Sequence, residues 1–182
     1  MKIQVITLFP EMFGGVLNSS MLWKAQKTGL ISYELINLRD YGIGPRKQVD
    51  DVPYGGGNGM VLRIEPLAAA IKAAESKIQT SNFKLQNSKS KVILLTPRGE
   101  KFNQAKAMAL SKLDEIILVC GRYEGYDERV VGLVDEQISI GEYVLTGGEL
   151  PAMIVMDAVT RLIPGVLGGE TSAELESFSQ PG

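Results

Sequence analysis

The sequence predicts an α/β domain with a mostly parallel sheet flanked by helices. Three observations carry this. Short apolar strands alternate with helical patterns from Lys2 to about Ile163. Glycine-bearing segments follow three of those strands. And 182 residues at 45% hydrophobic suffice for one good core with a small appendage to spare. In such sheets ligands sit beyond the carboxyl ends of the strands, so those three segments are where function is sought.

Taken in order, Lys2 to Leu8 reads as a strand with Ile3, Val5 and Ile6 buried. Phe9-Pro10 opens a helical pattern with Phe13, Val16, Leu17 and Met21 on one face, ended by Gly29. Ile31 to Leu38 alternates as a second strand. Arg39 to Arg63, rich in Gly, Asp and Pro, reads as a long loop, a feature usually functional or disordered in a compact domain. Pro66 starts an Ala-rich helix, Leu67 to Glu75, and the polar run Lys77 to Lys89 is expected to be a flexible surface connection. Val92 to Leu95 is a buried strand running into Thr96-Pro97-Arg98-Gly99, with a helix from about Phe102 to Leu113. Glu115 to Val119 is another buried strand, entering Cys120-Gly121. A short helical segment, Asp127 to Leu133, precedes the strand before Gly141. The helix Leu150 to Ile163 stops at Pro164-Gly165, and Val166 to Gly182 reads as a loosely held tail.

Composition narrows the chemistry. The chain has no histidine, which removes Ser-His-Asp and Cys-His nucleophile systems, imidazole bases and His-rich zinc sites together. Acid–base work falls to Asp, Glu, Lys, Tyr or backbone. The single cysteine, Cys120, precludes an internal disulfide, fits a reducing compartment, and reads as a small buried apolar residue. A net charge of -2 gives no basic footprint for nucleic acid, so RNA contact must be local or helped by a partner. No stretch approaches the roughly 20 apolar residues of a membrane span, and a soluble, cytoplasmic protein without membrane contact is expected.

The segment Ile138 to Ala152 is the most informative. A strand ends at Gly141, a bent stretch carries Tyr143 and Leu145, and Gly147-Gly148 opens directly into a helix. Glycines at such a seam let backbone approach a ligand and expose N–H groups. An ordinary strand–turn–helix corner accounts for one glycine pair. Convergence with Thr96–Gly99 and Gly121–Gly125 on one sheet edge favours a nucleoside-sized pocket. Arg122 and Glu124 project nearby as a charged pair. The run Tyr54 to Gly59 lacks the Gly-Lys-Ser/Thr ending of a P-loop, so a lid or RNA-contacting loop fits better than a triphosphate cradle. Asp50-Asp51 before it could cap, meet a base edge, or simply solvate the loop. Asp157 and Arg161, one turn apart, read alone as a surface pair worth tenths of a kcal/mol.

Five ordered motifs go further: Val49 to Met60, Leu95 to Gly99, Leu118 to Val130, Ser139 to Ala152 and Arg161 to Gly168. Together they closely resemble the bacterial tRNA (guanine-N1)-methyltransferases of the TrmD type, collinearly from the first strand to about Phe178. The resemblance implies the SPOUT fold, with a deep C-terminal trefoil knot, a homodimer, and S-adenosylmethionine bound in the knot. It implies cofactor contacts from Leu95, Thr96, Pro97, Gly121, Ile140, Gly141, Glu142, Tyr143, Val144, Leu145, Gly147, Gly148 and Pro151. Asp50, Tyr54, Gly59, Arg122 and Glu124 are the positions expected to meet the tRNA anticodon arm.

The reaction implied is methyl transfer to N1 of the guanosine immediately 3′ of the anticodon. A carboxylate takes the N1 proton and an arginine offsets charge on O6. Arg161 matches that arginine, which supersedes the surface-pair reading. The base in the family pattern is an aspartate; here Ser172 to Phe178 reads S-A-E-L-E-S-F and puts Glu176 at that position, one methylene longer. Magnesium dependence is also implied, though the sequence holds no ligand cluster for it. The resemblance divides the chain into a knotted catalytic domain, 1–168, and a flexible tail or linker start, 169–182. The family's helical tRNA-binding domain is expected to be absent, leaving room for a separate RNA-binding partner. The alternative expectation is a cofactor-binding knotted dimer with little or no activity.

Overall fold

The computed structural model describes residues 1–81, 89–168 and 177–178, without the side chains of residues 77–81. Its strands are β1 (Lys2–Thr7), β2 (Ser32–Asn37), β3 (Asp50–Asp51), β4 (Val61–Leu62), β5 (Ser90–Lys101), β6 (Glu115–Cys120) and β7 (Glu136–Ser139). Its helices are α1 (Gly14–Leu17), α2 (Ser20–Lys27), α3 (Ile64–Ser81), α4 (Gln104–Leu110) and α5 (Glu149–Thr160). Five strands form one sheet in the order β2-β1-β6-β5-β7, every pair parallel. β3 and β4 form a small antiparallel ribbon.

The period of two along β6 builds both faces. Ile116, Leu118 and Cys120 enter a core with Ile3 and Val5 of β1 and Ala152, Val155, Met156 and Val159 of α5. Ile117 and Val119 face the opposite core, against Leu67, Ala70, Ile71 and Ala74, the i, i+3, i+4, i+7 stripe of α3. Each large aliphatic side chain so buried contributes about 1.5–3 kcal/mol. A central strand apolar on both faces has no solvent side to slip toward, which fixes its register.

Four expectations are corrected. The helix expected from Pro10 to Gly29 is a 3-10 turn (Pro10–Phe13), then α1, then α2, whose first residue Ser20 has a left-handed φ of 51°. α3 runs to Ser81, so the start of the expected surface connection is helical, while residues 82–88 lie outside the described residues. The tail does not begin loosely: Val166 is fully buried, and its carbonyl accepts from Lys24 Nζ at 3.2 Å. Finally, Thr96–Gly99 is not a loop after a strand. It lies inside the 12-residue β5, where the register against β7 breaks and both Leu95 and Glu100 pair with Ile138. A bulge of this kind bends the strand and re-aims its side chains.

The long segment from Arg39 to Arg63 is held more firmly than its composition suggests. It contains a 3-10 turn (Leu38–Tyr41), the β3–β4 ribbon, and the buried residues Val49 and Leu62. Its glycine tip carries positive φ at Gly55, Gly56, Gly57 and Gly59.

Candidate active site

The bulge within β5 and the carboxyl ends of β6 and β7 enclose a cleft of about 390 Å³, within the roughly 300–1,000 Å³ of small-molecule sites. One wall is the β5 bulge, with Leu95, Thr96 and Pro97. The floor is Gly121 at the end of β6, and the far wall is the segment Ile140–Gly148 with Pro151 of α5. The β5 bulge and the two strand ends thus converge on one cavity with a largely apolar lining.

Close backbone approach builds it. Gly148 N–H donates to Gly121 C=O at 2.8 Å, and a Cβ on Gly148 would lie 2.7 Å from Cys120 Cα and 2.8 Å from Gly121 N. At Gly121 a Cβ would meet Leu95 O at 3.2 Å. Gly141, at φ +155°, has the Tyr143 ring folded over it; a Cβ there would be 2.5 Å from Cε1. Side chains at these positions would fill the cleft or drive its walls apart.

Of the residues expected to hold cofactor, Leu95, Thr96, Pro97, Gly121, Ile140, Gly141, Tyr143, Val144, Leu145, Gly147, Gly148 and Pro151 all line the cleft. Glu142 does not. It turns outward and pairs with Lys101 at 2.7 Å, both side chains largely exposed. Arg122 and Glu124, expected to meet RNA, also line the cleft. Gly59 stands just behind: a Cβ on it would be 2.5 Å from Glu124 Cγ. Glu124 N–H donates to Met60 C=O at 3.0 Å and Leu62 N–H to Gly125 C=O at 3.0 Å, so the glycine tip is clasped to the cleft rim. Asp50 reaches the rim indirectly, through a hydrogen bond with Tyr123; Tyr54 is fully exposed and lines nothing.

Arg161 stands apart from the cleft. It caps the carboxyl end of α5, whose amino end forms the cleft wall. At about 1.5 Å rise per residue, the 12 residues of α5 separate its two ends by roughly 18 Å. Glu176 lies outside the described residues. Among the described residues no group of three or more Asp, Glu, Cys or His stands ready to hold a metal, so the magnesium expectation gains no support.

Several site residues escaped the sequence reading. Tyr126 and Glu128 line the cleft as well, and so do Arg98 and Tyr123, which sit within the segments expected to form the pocket but were given no role of their own. Tyr123 holds a left-handed φ of 61°, and burial, then its bond to Asp50, push its hydroxyl above the ordinary pKa. Non-glycine residues in that region store strain that surrounding contacts must hold. Glu149, 1% exposed, accepts from Thr7 Oγ1 at 2.9 Å and faces Arg122 Nη1 at 3.5 Å. A charged residue just after Gly147-Gly148, at the start of an otherwise apolar helix, was the available signal. Cys120 is buried, and burial together with Glu149 pushes its thiol well above the ordinary value, as expected for an inert core residue.

Comparison with known proteins agrees with this geometry. The family model described as tRNA (Guanine-1)-methyltransferase TrmD matches residues 1–181. A tRNA (guanine-N(1)-)-methyltransferase of Carboxydothermus hydrogenoformans is 54% identical over 180 residues, 98% of this chain and 67% of that protein. One of Halalkalibacterium halodurans is 52% identical over 98% of this chain and 70% of its own length. The crystal structure of the tRNA (m1G37) methyltransferase from Aquifex aeolicus superposes with a TM-score of 0.78 at 41% identity, covering 93% of this chain and 72% of that one. No helix among the described residues is long and apolar enough to cross a membrane. The chain belongs to the tRNA (guanine-1)-methyltransferase TrmD family.

Proposed function

We propose that the chain is an enzyme transferring a methyl group from S-adenosylmethionine to N1 of the guanosine immediately 3′ of the tRNA anticodon. The observation that carries this reading is the convergence of the β5 bulge with the glycine-bearing ends of β6 and β7 on one cleft, in a chain of this family. Nothing observed favours the inert binding module.

The residues present fit the cofactor. Gly121 and Gly148 leave the cleft free of side chains where the backbone passes close, and Leu95, Ile140, Leu145 and Pro151 offer apolar walls for flat, uncharged rings. When bound, S-adenosylmethionine supplies a methyl group on a positively charged sulfur. The chain's own task is to hold the guanine with N1 in line with that methyl, since direct displacement responds strongly to positioning. Apolar walls exclude water and strengthen charge interactions inside. Arg161 would stabilise charge developing on O6, and Glu176 would take the N1 proton, both assigned from the motif match.

The separation of Arg161 from the cleft of its own chain supports a homodimer, in which Arg161 of one protomer serves the cleft of its partner. The knot is proposed on similar grounds. After the β5 bulge the strand returns tightly beside β7, where a Cβ on Gly99 would sit 2.5 Å from the Gln137 and Ile138 backbone. The segment 140–148 then crosses the end of β5 to reach β6 before α5 turns under the sheet. Residues 1–168 act as the catalytic domain and 169–182 as the start of a linker, in a cytoplasmic protein whose partner is the tRNA anticodon arm.

The test is single-turnover transfer from methyl-labelled S-adenosylmethionine to unmodified tRNA, with the product nucleoside identified by mass spectrometry. 1-Methylguanosine at the position 3′ of the anticodon, lost when that guanosine is replaced by adenosine, is expected. Label elsewhere, or no label despite saturable cofactor binding, would overturn the reading.

A further inference from the structure

Behind the cleft lies a polar cluster inside an apolar core. Arg122 leaves the end of β6 and lines the cleft, its guanidinium 4.6 Å from the centre of the Phe9 ring. Its Nη1 faces Glu149 Oε2 at 3.5 Å, while Glu149 Oε1 accepts from Thr7 Oγ1 at 2.9 Å. Thr7 Oγ1 in turn accepts from Phe9 N–H at 3.0 Å. Three distant stretches therefore meet: the end of β1, the end of β6 and the first residue of α5. Gly147 makes room for them, since a Cβ there would lie 2.5 Å from Arg122 Nη1.

The two charged partners are unequally placed. The Arg122 side chain is 24% exposed and the Glu149 side chain 2%, so the arginine is reachable from the cleft and the carboxylate is not. A buried carboxylate needs a counter-charge and hydrogen bonds, and Arg122 with Thr7 provides both. The converse matters for function. The guanidinium is restrained by the Phe9 ring on its face and by Glu149 at Nη1. Among the described residues its Nε and Nη2 make no hydrogen bond, which leaves a planar pair of donors for an acceptor entering the cleft. Guanidinium forks suit phosphate oxygens and the purine O6/N7 edge.

We infer that Glu149 is a positioning residue: it fixes the Arg122 guanidinium at the cleft wall so that its remaining donors engage acceptor atoms of the bound tRNA. This rests on the cleft being the methyl-transfer site. Glu149 touches neither substrate nor cofactor and acts through Arg122 alone. Neutralising it frees the guanidinium to rotate and leaves the cofactor walls in place.

The test is a double-mutant cycle of Glu149→Gln and Arg122→Ala, read as kcat/KM for tRNA, with S-adenosylhomocysteine affinity measured by calorimetry. Glu149→Gln keeps the shape and the Thr7 bond. It is expected to lower kcat/KM at least tenfold in the wild-type background and less than twofold once Arg122 is alanine, with cofactor-product affinity held within threefold. Equal losses in both backgrounds, or an affinity loss matching the kinetic one, would overturn the inference by showing a merely structural role. Thr7→Val loosens the same carboxylate from the other side and is expected to cost about threefold with the same dependence on Arg122. Restricted rotation of the Arg122 guanidinium, followed by nitrogen NMR, gives a readout free of activity. Slow in wild type and fast in Glu149→Gln supports the inference; equal rates in both overturn it. Slow wild-type rotation in a protein that methylates no tRNA would instead defeat the reading of the site.

Discussion

Replacing Gly148 by alanine isolates one physical effect, the close approach of two chain segments. Gly148 has φ -83° and ψ -2°, which any residue adopts, so alanine brings no backbone strain. What it brings is a methyl 2.7 Å from Cys120 Cα and 2.8 Å from Gly121 N, against ordinary contacts of 3.4–4 Å. The neighbours are backbone atoms of a central buried strand and cannot rotate away. The loop must retreat by roughly 0.7 Å or more, and the 2.8 Å bond from Gly148 N–H to Gly121 C=O stretches with it. Overpacking of this kind costs about 1–3 kcal/mol and a lost hydrogen bond about 0.5–1.5 kcal/mol, together about 1.5–4.5 kcal/mol. For a chain of this size that lowers Tm by roughly 5–15 °C. The same retreat moves the cleft wall, so S-adenosylhomocysteine affinity by calorimetry falls at least about tenfold. Gly14→Ala is the control: it lies in α1 with nothing within 4 Å of a Cβ, and is expected to be neutral or to stabilise by up to about 1 kcal/mol. If Gly148→Ala melts and binds like wild type, the packing of the 140–148 segment against β6 is not as described.

Three further outcomes are expected. Alkylation of Cys120 in the native protein should run at least about a hundredfold slower than in denaturant, because the thiol is buried and its pKa raised; rapid native labelling contradicts this. Arg161→Ala should lower kcat by about a hundredfold with S-adenosylhomocysteine affinity unchanged, the loss typical of removing one charge-stabilising donor; an affinity loss without a rate loss would place it in the cofactor site. Burial raises the Glu115 carboxyl above its ordinary value, with Lys2 and Gln4 opposing. A carboxyl raised in the folded state binds its proton more readily there, so its contribution is full below the unfolded pKa, about 4.3, and fades as pH rises through the folded value. Glu115→Gln should flatten that fall in urea denaturation; an unchanged pH slope contradicts it.

How far the fold was legible follows from how local each signal is. β6 announced itself because E-I-I-L-V has no polar face, and α3 because Leu67, Ala70, Ile71 and Ala74 repeat at helical spacing. The break at Ser20 was hidden, since nothing near it in sequence demands a left-handed residue; the packing of Phe13 and Leu22 into one core does. The continuation of β5 past Leu95 was equally hidden. Residues 96–101 look like a turn, and become strand only because β7, some 40 positions on, supplies the partner. The cleft itself was largely readable, as glycines at strand ends mark close approach wherever they face. The Arg122–Glu149 pair was not. It joins residues 27 positions apart through a burial that only the assembled fold creates. Arg161 shows the opposite case: the motif match assigned a role, and only the length of α5 shows that its own cleft is out of reach.

The most direct test of the central claim is a crystal structure of the chain grown with S-adenosylmethionine. Ligand density is expected at the β5 bulge and the ends of β6 and β7, with the adenine against backbone between Leu95, Gly121 and Leu145. Density at another site, or an empty cleft under conditions where calorimetry shows saturation, would contradict the account.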